Sequence, residues 1–243
     1  MCTFIYQQNN QSLAIAMNRD EHKSRTVVGG KNVLHEEGSL VYPIADKGKS
    51  TWFGLNLNNI VLGLLNYYPQ GYSKVGVKKS RGLIIPQLLS LKTLEQVNIS
   101  VNNLCLLDYR PFRLIVCSKK TKILYISDGM SEDIEVKKLN NQSGIIISSS
   151  KQEPEAIVGR KEIYSSFKSS DLFSKHCLKN LMSKQVYPQN ESHKNIFVQR
   201  ENVATLATSI VELNNEKIIF NHFNYEGKNC VEYVKSYLKS KNL

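Results

Sequence analysis

The chain reads as a layered α+β domain built on antiparallel sheets. Three observations point there. Short runs of alternating residues recur along the chain, and several are joined by tight asparagine-rich turns. Segments with helical spacing come in two blocks set between groups of strands, rather than alternating with single strands. No linker, low-complexity stretch or internal repeat divides the 243 residues, so one domain spanning 1–243 is expected.

Each element follows in order. Residues 2–8 and 13–18 alternate around Asn9-Asn10-Gln11-Ser12 and read as a hairpin. After a polar stretch through Asp46-Lys47-Gly48-Lys49, two strands run from Thr51 to Leu57 and from Ile60 to Tyr67, turned by Asn58-Asn59. Helical spacing covers 81–90 and 92–103, with Pro86 forcing a kink or a late start in the first. Strands return at Arg113–Cys117, Ile123–Ile126, Ile134–Leu139 and Gly144–Ser148. Residues 155–184 look helical with a break around Ser169-Ser170-Asp171, and a hairpin follows, Thr205–Leu213 and Lys217–Phe223 about Asn214-Asn215. The tail from Val231 to Leu238 has helical spacing.

Composition removes several classes. With 41% hydrophobic and 22% charged residues the chain is ordinary globular material. Its longest apolar runs, Ile60–Leu65 and Gly144–Ile147, are too short to cross a bilayer, and Gln7, Asn9, Asn10 and Gln11 interrupt any signal-peptide core. The net charge of +11 invites a nucleic-acid reading, but the lysines are scattered and no zinc-finger, RNP or helix-turn-helix pattern accompanies them, so no nucleic-acid partner is expected. Five cysteines, odd in number and with no CxxC, fit a reduced, cytoplasmic protein. Cys105, Cys117 and Cys177 lie in apolar surroundings and read as inert core residues. The five histidines show no ligand spacing, so no metal is expected, and they read as surface or incidental residues.

Chemistry concentrates at the start of the chain. If the loop is residues 9–12, Cys2 lies opposite Arg19 on one face, and a guanidinium beside the thiol would favour the thiolate. Methionine before a small residue is normally trimmed. That would leave an α-amine, with a reference pKa near 7.7–8.0, on the same residue as the thiol. Such a pair is what N-terminal nucleophile catalysis needs, and Asp20 is placed to hold the amine. The alternative is that Cys2 is a buried strand residue and Arg19-Asp20-Glu21 a solvated turn.

Met1-Cys2, Asn18-Arg19-Asp20-Glu21 and Arg25, followed by Thr51-Trp52-Phe53-Gly54, Leu65-Asn66-Tyr67, Ser80-Arg81-Gly82 and Ile196-Phe197-Val198, resemble in order and spacing the NRDE, or transport-and-Golgi-organisation, family. The Met-Cys-Thr start and the run Asn66-Tyr67-Tyr68-Pro69-Gln70-Gly71-Tyr72 are also similar to the cysteine N-terminal nucleophile hydrolases, including bile salt hydrolases and penicillin V acylases. The resemblance implies a four-layer αββα sandwich and hydrolysis of a non-peptide C–N amide bond of an acylated amine. It makes Cys2 the nucleophile, Arg19 the stabiliser of its thiolate, Asp20 the support of the α-amine and Asn66 an oxyanion donor, a donor whose loss typically costs about 10²–10³ in kcat. Substrate contacts are expected from Asn18, Tyr67, Arg81 and Ser149.

Two places depart from the relatives. Ser148-Ser149-Ser150 stands where an asparagine is expected, and a hydroxyl donates one hydrogen bond where an amide nitrogen donates two. Ala204-Thr205-Leu206-Ala207 replaces Gly-Thr-Arg-Ser, so Leu206 stands for an arginine that Arg200 could supply from upstream. Other readings stay open. Trp52 reads as core. Tyr67, Tyr68 and Tyr72 are either packing residues or the wall of an apolar acyl pocket, and Arg81 either binds an acidic group or forms a structural ion pair. The alternative function is a carrier on the same scaffold that handles haem or lipid, in which haem would be the cofactor; the amidohydrolase has none.

Overall fold

The first hairpin is set by one side chain. In the computed structural model, which describes residues 2–25, 34–37, 40–45, 50–73, 76, 79–150, 152–167, 174–225 and 229–236, the Asn9 side-chain oxygen accepts from the N–H groups of Gln11 and Ser12 at 2.8 and 2.7 Å. This Asx turn joins β1 (Cys2–Gln8) to β2 (Leu13–His22). The pairing runs from Cys2↔Arg19 to Gln8↔Leu13, the expected register.

Two antiparallel sheets follow. The first places β10 (Ser143–Ser148), β1, β2, β11 (Val203–Leu213), β12 (Lys217–Asn224) and β13 (Asn229–Ser236) side by side in that order. The second runs in chain order through β3 (Leu34–Glu37), β4 (Leu40–Pro43), β5 (Phe53–Asn56), β6 (Val61–Asn66), β7 (Phe112–Cys117), β8 (Lys122–Ser127) and β9 (Glu135–Lys138). Helices α1 (Ile84–Leu89), α2 (Leu94–Asn102), α3 (Glu153–Ser165) and α4 (Lys175–Met182) cover them.

The stacking order is legible in the cores. Phe4, Leu13, Ile15 and Met17 of the first sheet pack with Phe53, Leu55, Val61 and Ile115 of the second. On the other face of β2, Ala14 and Ala16 pack with Ile163 of α3 and Leu178 and Leu181 of α4. Leu62, Leu64 and Leu114 of the second sheet meet Ile84, Leu88 and Val97 of α1 and α2. Three apolar interfaces between four layers give the αββα sandwich. Both faces of β2 are buried, which is why this strand is apolar through its middle rather than alternating with polar residues.

The sheets meet closely at Gly63 of β6, where an added Cβ would stand 2.6 Å from Cε2 of Phe4. Gly63→Ala is therefore expected to lower stability by about 1–3 kcal/mol through overpacking. The check is a shift of the urea midpoint; an unchanged midpoint would show that Phe4 can move aside.

Several expectations need correction. The tail with helical spacing is a strand: β13 pairs with β12 from Asn224↔Asn229 to Lys217↔Ser236, with Val231 and Tyr233 packed on the inter-sheet core and Val234 exposed. Alternation and an unpaired edge of β12 outweigh the weak helical spacing. Strands β3 and β4 fall in a region that reads as polar loop, whose Asp46–Lys49 stretch lies outside the described residues. Pro86 has its late start: a 3₁₀ turn, Arg81–Leu83, precedes α1, so the proline sits in the first helical turn, where no N–H is required. The predicted break at 169–171 lies outside the described residues, between α3 and α4. Cys117 is buried, with burial pushing its thiol up to about 12, but Cys105 is exposed and Cys177 half-buried. His193 and His222 are buried rather than on the surface.

Candidate active site

Strand ends from both sheets converge on one cavity of about 380 Å³. It is reached by the start of β1 (Cys2), the end of β2 (Arg19, Asp20, Glu21), the end of β6 (Asn66) and the turn Ser80–Gly82. That turn is pressed against the segment before β5: the Thr51 N–H donates to the Gly82 carbonyl at 2.9 Å, and an added Cβ on Gly82 would meet the Ser50 Cβ at 2.8 Å. Arg81 is thereby fixed at the cavity wall, donating from its guanidinium to the Pro111 carbonyl at 2.6 Å.

Cys2 is 6% exposed and pairs with Arg19 on one side and Ser148 on the other. The Arg19 guanidinium lies over the Trp52 ring, 4.5 Å from its centroid, so Trp52 is both a core residue and a cavity wall. The expected activation of the thiol is not what the surroundings produce. Burial pushes the Cys2 thiol up, against the lowering effect of the charged amino terminus; the neighbouring Asp20 carboxylate adds to the rise and the Asp20 backbone N–H opposes it.

Asp20 follows Arg19 in β2 and so faces the helix layer. There its Oδ1 accepts from the Thr205 hydroxyl at 2.7 Å, and its Oδ2 faces Nη1 of Arg160 at 3.3 Å. Arg160 is 0% exposed and also donates to Thr3 Oγ1 at 2.7 Å and to the His193 carbonyl at 3.1 Å. No feature of Arg160 marks it as functional, yet a signal was available: it shares the inward stripe of α3 with Ala156, Gly159 and Ile163. Pairing between β11 and β2 shifts between Thr205 and Ala207, leaving Leu206 as the bulged residue. The guanidinium beside Asp20 thus comes from α3. Arg200 is held below its usual value by burial, then by Arg160, and does not line the cavity.

Asn66 donates from Nδ2 to the Tyr68 hydroxyl at 3.0 Å, and its backbone carbonyl accepts from the Ser148 hydroxyl opposite Cys2. An amide nitrogen has two N–H bonds, so one donor remains for a ligand. Three expected substrate contacts are directed elsewhere. Asn18 is fully buried on the helix side, donating to the carbonyls of Met182 and Ile196 at 2.8 and 3.0 Å and accepting from Thr208 at 2.6 Å. Tyr67 lies under Arg113, 4.4 Å from its guanidinium, and is not a lining residue. Ser149 is 1% exposed and its N–H donates to Glu153 at 3.1 Å, again off the cavity. Charged lining residues that the motifs left unassigned are Arg110 and Lys79. Among the described residues no group of three His, Cys, Asp or Glu side chains could hold a metal.

Two stacked antiparallel sheets, with a cysteine at the start of an interior strand, give the chain a fold like that of the N-terminal nucleophile hydrolases. It is similar to the Caenorhabditis elegans N-acylethanolamine-hydrolyzing acid amidase ortholog (TM-score 0.62, 14% identity, covering 86% of this chain and 92% of that one). It is also similar to the C2A mutant of conjugated bile acid hydrolase from Clostridium perfringens (TM-score 0.51, 13% identity, 99% and 98% covered). At such identities these are likenesses of fold. The chain belongs to the Transport and Golgi organisation 2 family, whose model matches residues 1–230. Comparison with curated proteins finds no sequence match.

Proposed function

We propose that this protein is a cysteine N-terminal nucleophile amidohydrolase that cleaves the C–N bond of a small-molecule amide after Met1 is removed. The carrying observation is that Cys2 from one sheet and Asn66 from the other open on the same cavity. In this reading the Cys2 α-amine takes the thiol proton as sulfur attacks the amide carbonyl. The Asn66 side-chain N–H stabilises the oxyanion. Collapse breaks the C–N bond, the α-ammonium protonates the leaving amine, and water activated by the same α-amine hydrolyses the thioester. Asp20, held by Thr205 and Arg160, fixes the strand end that carries the amine.

Cys2→Ala is expected to abolish turnover across a panel of N-acyl amides, with intact mass showing that Met1 is absent from the parent. A Cys2→Ala protein as active as its parent overturns Cys2 as the nucleophile; a parent with no turnover on the panel moves the reading to a carrier function, for which a haem absorbance titration is the direct measurement.

A further inference from the structure

The cavity around Cys2 is charged. Among the described residues sixteen line it, seven of them ionisable as Arg, Lys, Asp or Glu, and of these sixteen only Trp52 and Leu64 carry large apolar side chains. Five of the seven are cations. The carboxylates there are already engaged: Glu21 by Arg25 at 2.9 Å and Asp20 by Arg160. Lys79 is paired with Asp108. Among the described residues, no carboxylate lies within ion-pairing distance of Arg81 or Arg110. The Arg81 side chain makes one hydrogen bond among the described residues, to a neutral carbonyl, leaving most of its five N–H donors for another acceptor. Burial, and then the nearby charge of Arg110, hold its guanidinium below the usual value. An anion between the two arginines would relieve that repulsion and find bidentate donors. A long acyl chain would find almost no apolar wall.

We infer that the ligand of this cavity is a small polar molecule with an acidic group, a carboxylate or a phosphate, held by Arg81 and Arg110 while its other end reaches Cys2. The scissile amide at that other end rests on the hydrolase reading; the anion site does not.

A matched pair of alkylating reagents tests it. Iodoacetate and iodoacetamide both transfer a carbon to the cysteine thiolate with loss of iodide, and differ in charge. The measured quantity is their rate ratio at Cys2, by peptide mass, relative to the ratio for 2-mercaptoethanol under the same conditions. The expected result is a preference for iodoacetate of about tenfold or more at low ionic strength, falling with added salt. It should collapse toward the free-thiol ratio in Arg81→Gln/Arg110→Gln. Arg110 is exposed, so Arg110→Gln alone keeps the fold and should lower the preference part of the way. A free-thiol ratio in the parent, or an unchanged ratio in the double variant, overturns the inference. If Cys2 reacts with neither reagent, calorimetry with glutarate and with inorganic phosphate decides. Heat that is lost in Arg110→Gln supports the site, and the stronger anion tells carboxylate from phosphate; no heat with either overturns it. Full turnover in Cys2→Ala would defeat Cys2 as the nucleophile of the hydrolase reading and leave the anion preference standing, so the two failures are distinguishable.

Discussion

Arg160→Met is expected to destabilise the protein by about 3–5 kcal/mol, the cost of stranding one member of a fully buried ion pair. Both side chains are 0% exposed, so solvent neither screens the pair nor can readily replace the lost partner. Methionine has similar length and no charge. It would leave the Asp20 carboxylate buried beside the Thr205 hydroxyl and would remove the donors to Thr3 and to the His193 carbonyl. Among the described residues the second guanidinium nitrogen, Nη2, has no hydrogen-bond partner. The double variant Asp20→Asn/Arg160→Met removes both charges and should recover much of the loss. Urea midpoints of the parent, the singles and the double give the coupling. Additive single losses would show that the pair does not act as a unit.

Acidification supplies the second large effect. His222 lies on β12, 1% exposed, with Nδ1 within 2.9 Å of the Ser209 hydroxyl and its ring 6.0 Å from Trp52. Burial, and then the Arg19 charge, push it down to about 3. In the unfolded chain it titrates near its ordinary value of about 6.5. Between those two values the unfolded state binds a proton that the folded state does not. Stability is therefore full above about 6.5 and falls with pH below it, by up to about 1.4 kcal/mol per pH unit, until about 3. Paired carboxylates add their own acid sensitivity, so the readout is a difference. His222→Gln cannot titrate, and its urea midpoint relative to the parent should improve steadily from pH 7 to pH 4. Parallel profiles for the two proteins would refute the assignment.

These two residues also mark where sequence reading ends. The Cys2↔Arg19 pairing is legible in the chain, because a four-residue turn and period-two alternation set that register, and Asn66 stands out through the resemblance of the motifs around it; all three line the one cavity. Arg160 and His222 owe their importance to burial against strands distant in sequence; Asp20 and Arg160 are 140 residues apart. No local pattern reports that distance as a contact. Arg81 was visible as a residue, but its lack of a counter-charge could be seen only once Asp108 was found on Lys79 and Glu21 on Arg25.

The first hairpin with its register, and most of the later strands and helices, were determined by the sequence itself, since turn chemistry and alternation act over a few residues. Tertiary structure decided the rest. It turned Asn18 into the helix layer while Arg19 beside it faces the inter-sheet core, because adjacent strand residues point to opposite faces and both faces of β2 are covered. It made a strand of Asn229–Ser236, because the edge of β12 offered hydrogen bonds that helical spacing in an eight-residue segment could not match. It also chose Tyr68 over Tyr67 as the neighbour of the Asn66 amide, since the chain leaving β6 lays Tyr67 against Arg113. Side-chain direction at the end of a strand depends on what the next layer places there, and that layer comes from elsewhere in the chain.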